Sequence, residues 1–157
     1  YEIVVSDWSS DVCSSDLTRM CCVMVDLDDF KSINDQYGHP VGDAALIHFA
    51  KTLRQRVRRA DAIAQLGGDE FAVLLEDVGL ASEAQHIGTQ LCERLSTPFL
   101  LHRGESTVQV KIGGSIGLAF FPDHAQERDT LLTAADTAMY QAKRSGKNQC
   151  LVAGTGQ

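Results

Sequence analysis

The chain has 157 residues, enough for one domain with a real core, and its 44% hydrophobic and 22% charged content is the balance of a globular protein in water. Its formal net charge of −7 argues against non-specific binding to DNA or RNA, so an anionic ligand would need metal ions or a few placed cations to offset its charge. No apolar run approaches the roughly 18 residues of a membrane span, and no basic start followed by an apolar stretch marks a signal peptide, so the expected location is the cytoplasm, as a cytoplasmic protein or the cytoplasmic part of a membrane-anchored one.

In chain order, residues 1–18 hold five serines, four acids (Glu2, Asp7, Asp11, Asp16) and no base. Removing those four charges leaves −3 for the remainder. The stretch shows no apolar periodicity and no cap leading into a core segment. "MCCVMVDL" (20–27) is a short apolar run ending in acids and predicts a buried strand. "DFKSINDQYG" predicts a short helix closed by Gly38. After "HPVG", Asp43 is placed to cap a longer helix, with Leu46, Phe49, Ala50, Leu53 and Val57 at helical spacing and Lys51, Arg54, Arg58 and Arg59 opposite. "AIAQLGGDEFAVLLE" predicts two strands joined at Gly67-Gly68, a pair suited to the positive φ of a tight hairpin turn.

A helix over 81–96 follows, with Ala84, Ile87, Leu91 and Leu95 inward. "TPFLLHRGESTVQV" predicts a second, exposed hairpin, and "KIGGSIGLAFF" a strand whose glycines suggest close backbone approach, ended by Pro122. The last elements are a helix over 127–144, with Leu131, Leu132, Ala135, Ala138 and Met139 inward, and a strand at "NQCLV". The order β-α-α-β-β-α-β-α-β implies an α+β fold, a ferredoxin-like βααββαβ sandwich with an extra hairpin. The cysteines (Cys13, Cys21, Cys22, Cys92, Cys150) form no C-x-x-C pair, and Cys21 and Cys22 fit the core of a reduced protein.

Asp26 ends the first strand, and Asp69 and Glu70 follow the glycine turn. If the first strand pairs beside the hairpin, the three carboxylates meet at one sheet edge, where they repel unless a cation joins them. Such hard oxygen donors suit Mg²⁺ beside substrate phosphates. Two ions about 3.5–4 Å apart would activate a hydroxyl and stabilise leaving oxygens in phosphoryl transfer. Spacing alone favours three solvated acids at strand ends, because acids are common at turns.

Four segments bear on that choice. "GGDEF" (67–71) comes with "DLDDFKSINDQYGHPVGD" (26–43), "SIGLAFFP" (115–122) and "ADTAMYQAKRSGKN" (135–148). In order and spacing they resemble the GGDEF family of diguanylate cyclases, over about residues 20–150. The resemblance implies a fold similar to nucleotidyl cyclase and polymerase palm domains. It implies condensation of two GTP into cyclic di-GMP with release of two pyrophosphates, by attack of a 3′-hydroxyl on an α-phosphate.

On that resemblance, Asp26, the Leu27 carbonyl, Asp69 and Glu70 would hold Mg²⁺ or Mn²⁺. Asp26, Asp69 and Glu70 would be catalytic, with one acid at the hairpin helping to deprotonate the hydroxyl. Asn34 and Asp43 would hydrogen-bond the guanine edge, as an amide and a carboxylate can. Phe30 and Lys31 would approach the phosphates, Lys143 and Lys147 would bind the terminal phosphates, and Gly67 and Gly68 would leave room for the nucleotide. His39 would be structural. "RRAD" (58–61) supplies Arg58 and Asp61 in the R-x-x-D arrangement of the family's product-inhibition site, where arginine grips phosphate or guanine and aspartate takes guanine N–H groups.

The implied partners are GTP, cyclic di-GMP as product and feedback inhibitor, a second copy of the chain in a catalytic homodimer, and fused sensory or regulatory domains. A catalytically weak or inactive domain that binds GTP or cyclic di-GMP as a regulator is the alternative. Two departures from the family pattern matter. Gln65 stands where an arginine is usual, and the helix that usually precedes the first strand is missing. "DWSSDVCSSDL" in its place resembles a translated sequencing adapter. Residues 1–18 are therefore expected to be non-native, with the domain over 19–153, without its first helix, and a tail at 154–157.

Overall fold

The computed structural model describes residues 19–59 and 61–154. The expected non-native segment 1–18, and residues 155–157 of the expected tail, lie outside the described residues. Eleven elements follow one another among them: β1 (Met20–Asp28), α1 (Phe30–Tyr37), α2 (His39–Arg56), β2 (Ala62–Gln65), β3 (Glu70–Leu75), α3 (Ala81–Leu95), β4 (Phe99–Arg103), β5 (Ser106–Val110), β6 (Gly113–Phe121), α4 (Arg128–Arg144) and β7 (Cys150–Val152). β2, β3, β1, β6 and β7 form one mixed sheet in that order, with only the β6–β7 pair parallel. β4 and β5 form the separate hairpin expected from the sequence. The fold is α+β.

Strand β1 is central because both its faces are apolar enough to bury. Cys21, Val23, Val25 and Leu27 point into a large core shared with α1, α2 and α3. Cys22 and Met24 point the other way, into a second core under α4 with Ala72, Ala119, Leu131, Ala135 and Met139. The helices thus cover the sheet on two sides. Burial pushes the Cys22, Cys92 and Cys150 thiols up to about 12, which leaves them protonated and inert. α4 lies close on the sheet because β6 carries Gly117 beneath it. A Cβ there would overlap the backbone of Ala135 and Met139 and lie 2.9 Å from the Ala138 carbonyl carbon.

Three local expectations are corrected. Asp43 does not cap α2; the helix begins at His39, with Gly38 (φ 89) as its N-cap and Pro40 in its first turn. Proline is tolerated there because its missing N–H is one a helix start leaves unpaired. The helix ends at Arg56, with Val57 extended, so Val57, Arg58 and Arg59 fall beyond it. The β2–β3 connection is a four-residue loop, Leu66–Asp69, closed by Leu66 N–H and Gly67 N–H donating to the Glu70 carbonyl (2.9 and 3.3 Å). Neither Gly67 nor Gly68 has a positive φ, so the tight primed turn is not what requires them. Among the described residues no helix is long and apolar enough to cross a membrane.

Candidate active site at the end of strand β1

Strand register assembles the site. Asp26 of β1 lies opposite Glu70 of β3 on one side and Ser115 of β6 on the other. Alternation along β1 puts Asp26 on the α4 face, one row beyond the apolar row of Ala72, Met24 and Gly117. The Leu27 N–H donates to the Asp69 carbonyl (3.0 Å), which ties the glycine loop to the end of β1. Asp26, Asp69 and Glu70 therefore converge, as the sequence suggests if β1 pairs beside the hairpin.

Their electrostatics record the crowding. Burial holds the Asp26 carboxyl above its usual range; the Lys143 hydrogen bond pulls the other way, and Asp69 and Asp28 add to the rise. Burial also raises Glu70, helped by the charge of Asp136 on α4, by Asp26, by a hydrogen bond with Asp136 and by Asp69. Lys143, near the end of α4, meets Asp26 Oδ2 at 2.5 Å. Asp26 Oδ1 is buried and has no partner. Among the described residues no three His, Cys, Asp or Glu side chains are already gathered as a metal cage. An orphaned carboxylate oxygen beside two more acids nevertheless fits a hard divalent cation.

Around this centre the backbone is held in an uncommon shape. Asp29, Lys147 and Asn148 adopt left-handed conformations (φ 58, 63 and 46), each costing on the order of 1 kcal/mol for a non-glycine residue. Asp28 holds them in place: its Oδ1 accepts from Ser115 Oγ (2.7 Å) and its Oδ2 from the Asn148 N–H (2.8 Å). Lys147 Nζ meets Asp29 Oδ1 at 2.7 Å, which raises the lysine pKa.

A second group forms where α1 meets α2. Asn34 lies on Gly42, where a Cβ would overlap Asn34 Oδ1 and stand 2.9 Å from its Cγ. Phe30 opens α1, half-buried against the large core, with its ring edge at the same glycine. Asp43 follows Gly42 and is exposed, as is Lys31. Gly67 and Gly68 are exposed, and a Cβ on Gly68 would meet nothing within 4 Å. Nothing among the described residues thus demands glycine at 68. Gln65 donates from Nε2 to the Gly68 carbonyl (3.1 Å) across the loop.

Arg58 and Asp61 sit together at the start of β2. Asp61 is buried and accepts from the Arg58 N–H (2.8 Å) and the Glu76 N–H (3.1 Å), and the Arg58 guanidinium reaches both its oxygens at 3.4 Å. The same guanidinium also donates to the Glu76 carbonyl. They line a pocket of about 190 Å³ with Arg56, Asp77 and Glu83.

A family model described as "Diguanylate cyclase, GGDEF domain" matches residues 7–149. The chain belongs to the GGDEF family. Among curated relatives of this GGDEF domain is the bifunctional diguanylate cyclase/cyclic di-GMP phosphodiesterase MucR of Pseudomonas aeruginosa, 43% identical over 130 residues, which are 83% of this chain and 18% of MucR. The diguanylate cyclase TpbB of the same organism is 40% identical over 129 residues, 82% of this chain and 29% of TpbB. The chain thus spans under a third of either relative. The crystal structure of the TpbB GGDEF domain superposes with a TM-score of 0.82 at 37% identity, covering 87% of this chain and 83% of that one. The GGDEF domain of DgcB from Caulobacter crescentus, in complex with c-di-GMP, gives 0.76 at 27% identity, covering 86% and 78%.

Three residues of this GGDEF domain escaped the sequence reading. Asp28 and Asp136 sit inside the motifs without a spacing that sets them apart. Gly42 serves a close approach that only three-dimensional packing reveals, whereas the close backbone approach expected of the β6 glycines is met at Gly117.

Proposed function

We propose that this GGDEF domain is a diguanylate cyclase that condenses two GTP into cyclic di-GMP. The observation that carries this reading is the half-buried Asp26 with its unpartnered oxygen, next to Asp69 and Glu70 and under a lysine. Mg²⁺ or Mn²⁺ held by Asp26, the Leu27 carbonyl, Asp69 and Glu70 would neutralise phosphate charge and acidify the attacking hydroxyl. Lys143 and Lys147 would take the terminal phosphates, with Lys31 and the backbone at Phe30 beside them.

Asn34, fixed against Gly42, and Asp43 would read the guanine edge. One acid at the hairpin, Asp69 or Glu70, would help to deprotonate the 3′-hydroxyl. The exposed Gly67–Gly68 loop leaves space for the nucleotide. Two sites must face each other to join two nucleotides, so the working unit would be a homodimer, in a larger protein with sensory or regulatory domains. Arg58 and Asp61 would bind the product as a feedback inhibitor once their mutual contacts open.

Incubation of the dimerised chain with GTP and Mg²⁺, followed by chromatography, tests the reading. Cyclic di-GMP is expected, and Glu70→Ala abolishes it. Retained GTP binding with no product in the parent chain would leave only a nucleotide-binding module.

A further inference from the structure

We propose that Lys143 is the resident counter-ion of the metal site, so that metal and triphosphate bind as a coupled pair. The metal would take Asp26 from Lys143 while the phosphates take Lys143 from Asp26. This rests on the cyclase reading and adds a binding order to it.

The geometry is that of a closed pair. Lys143 Nζ stands 2.5 Å from Asp26 Oδ2, and the two side chains are only 29% and 17% exposed. Lys143 does not reach this position from a mobile tail. It projects from α4, whose backbone is pressed onto β6 at Gly117, so helix and carboxylate are fixed relative to each other. The remaining oxygen, Asp26 Oδ1, is buried and unpartnered, so the pair satisfies only one of the carboxylate's oxygens, and a divalent ion drawn to it competes with Lys143 for the same single charge.

Breaking a partly buried pair leaves an uncompensated charge. A metal entering alone strands the ammonium, because the neighbouring Asp28 oxygens are already taken by Ser115 and Asn148. A triphosphate entering alone strands the carboxylate. When both enter, each released charge finds a partner. The coupling is reciprocal by linkage: whatever factor the nucleotide adds to metal affinity, the metal adds to nucleotide affinity. The Lys147–Asp29 pair, at 2.7 Å and more exposed, repeats the arrangement one residue beyond Asp28.

The test is Mn²⁺ binding to the full chain by calorimetry. It is run with and without a non-hydrolysable GTP analogue and corrected for metal held by the analogue in solution. In Lys143→Met, Mn²⁺ without nucleotide is expected to bind about tenfold tighter than in the parent, and the gain on adding analogue shrinks by a similar factor. Lys143→Arg keeps a cation and should behave as the parent. Lys143→Gln gives the same reading should the methionine variant fold poorly, which a thermal melt reports. Equal or weaker Mn²⁺ binding in the neutral variants, with Mn²⁺ still bound, overturns the exchange alone. No Mn²⁺ binding to any chain, even with analogue, overturns the exchange together with the metal site beneath it.

Discussion

Replacing Gly42 by alanine separates the guanine-reading role from packing. Gly42 lies in the first turn and a half of α2, where alanine would ordinarily gain about 1 kcal/mol over glycine. Here the new methyl would overlap Asn34 Oδ1, 2.9 Å from its Cγ and 3.4 Å from Phe30 Cζ. Asn34 is only half-buried and can swing away, at an off-rotamer cost of about 1 kcal/mol. The two effects offset, so stability in a urea melt should stay within about 1 kcal/mol of the parent. Binding should not. If Asn34 reads the guanine edge as proposed, moving its amide away would remove one or two hydrogen bonds and strand a ligand donor or acceptor, about 1–3 kcal/mol in all. That is roughly a 5- to 150-fold loss of affinity for a GTP analogue by calorimetry. Affinity within about twofold of the parent, with stability lowered by more than about 2 kcal/mol, would refute the reasoning and leave Gly42 a packing residue alone.

Further consequences follow from the same geometry. Gly117→Ala should lift α4 off β6 and cost about 3 kcal/mol, a fall in Tm of roughly 6–12 °C for a chain of this size; a change under about 2 °C would contradict the close approach. Glu70 and Asp26 have folded pKa values raised above their ordinary ones, so the folded chain binds more protons than the unfolded one, and stability is lost as pH rises through the raised values. Glu70→Gln, which mimics the protonated acid, should therefore melt progressively higher than the metal-free parent as pH climbs above the ordinary carboxylate range, and Mg²⁺ should narrow that gap; a gap that does not grow with pH would count against the crowded site. If Arg58 and Asp61 form the proposed product site, the parent should slow as cyclic di-GMP accumulates while Arg58→Ala holds its rate, and a parent-like slowing of the variant would remove the product site.

Most of the fold was legible because its signals are local. β1 and β6 read as strands from their apolar runs, and α3 and α4 from helical spacing; the glycine pair marked a hairpin even though its turn is longer than the pair suggests. The start of α2 was misread because "HPVG" looks like a loop, whereas Gly38 reverses the chain and Pro40 fits the first helical turn. The acids of the site were legible from their strand-end positions once the pairing of β1 with β3 was supposed. Asp136 was not, because its partner Glu70 lies 66 residues earlier in the chain. Nor were the ion pairs of Lys143 and Lys147: the resemblance assigns both lysines to phosphate, and only the structure couples them to Asp26 and Asp29. Long-range pairs of this kind are set by how α4 crosses the sheet, which leaves no periodic trace in the sequence.

The most direct measurement of the central claim is product stoichiometry. The dimerised chain, given GTP and Mg²⁺, should yield one cyclic di-GMP and two pyrophosphates for every two GTP consumed, with none formed by Glu70→Ala. GTP bound by the parent chain but recovered unchanged would contradict it.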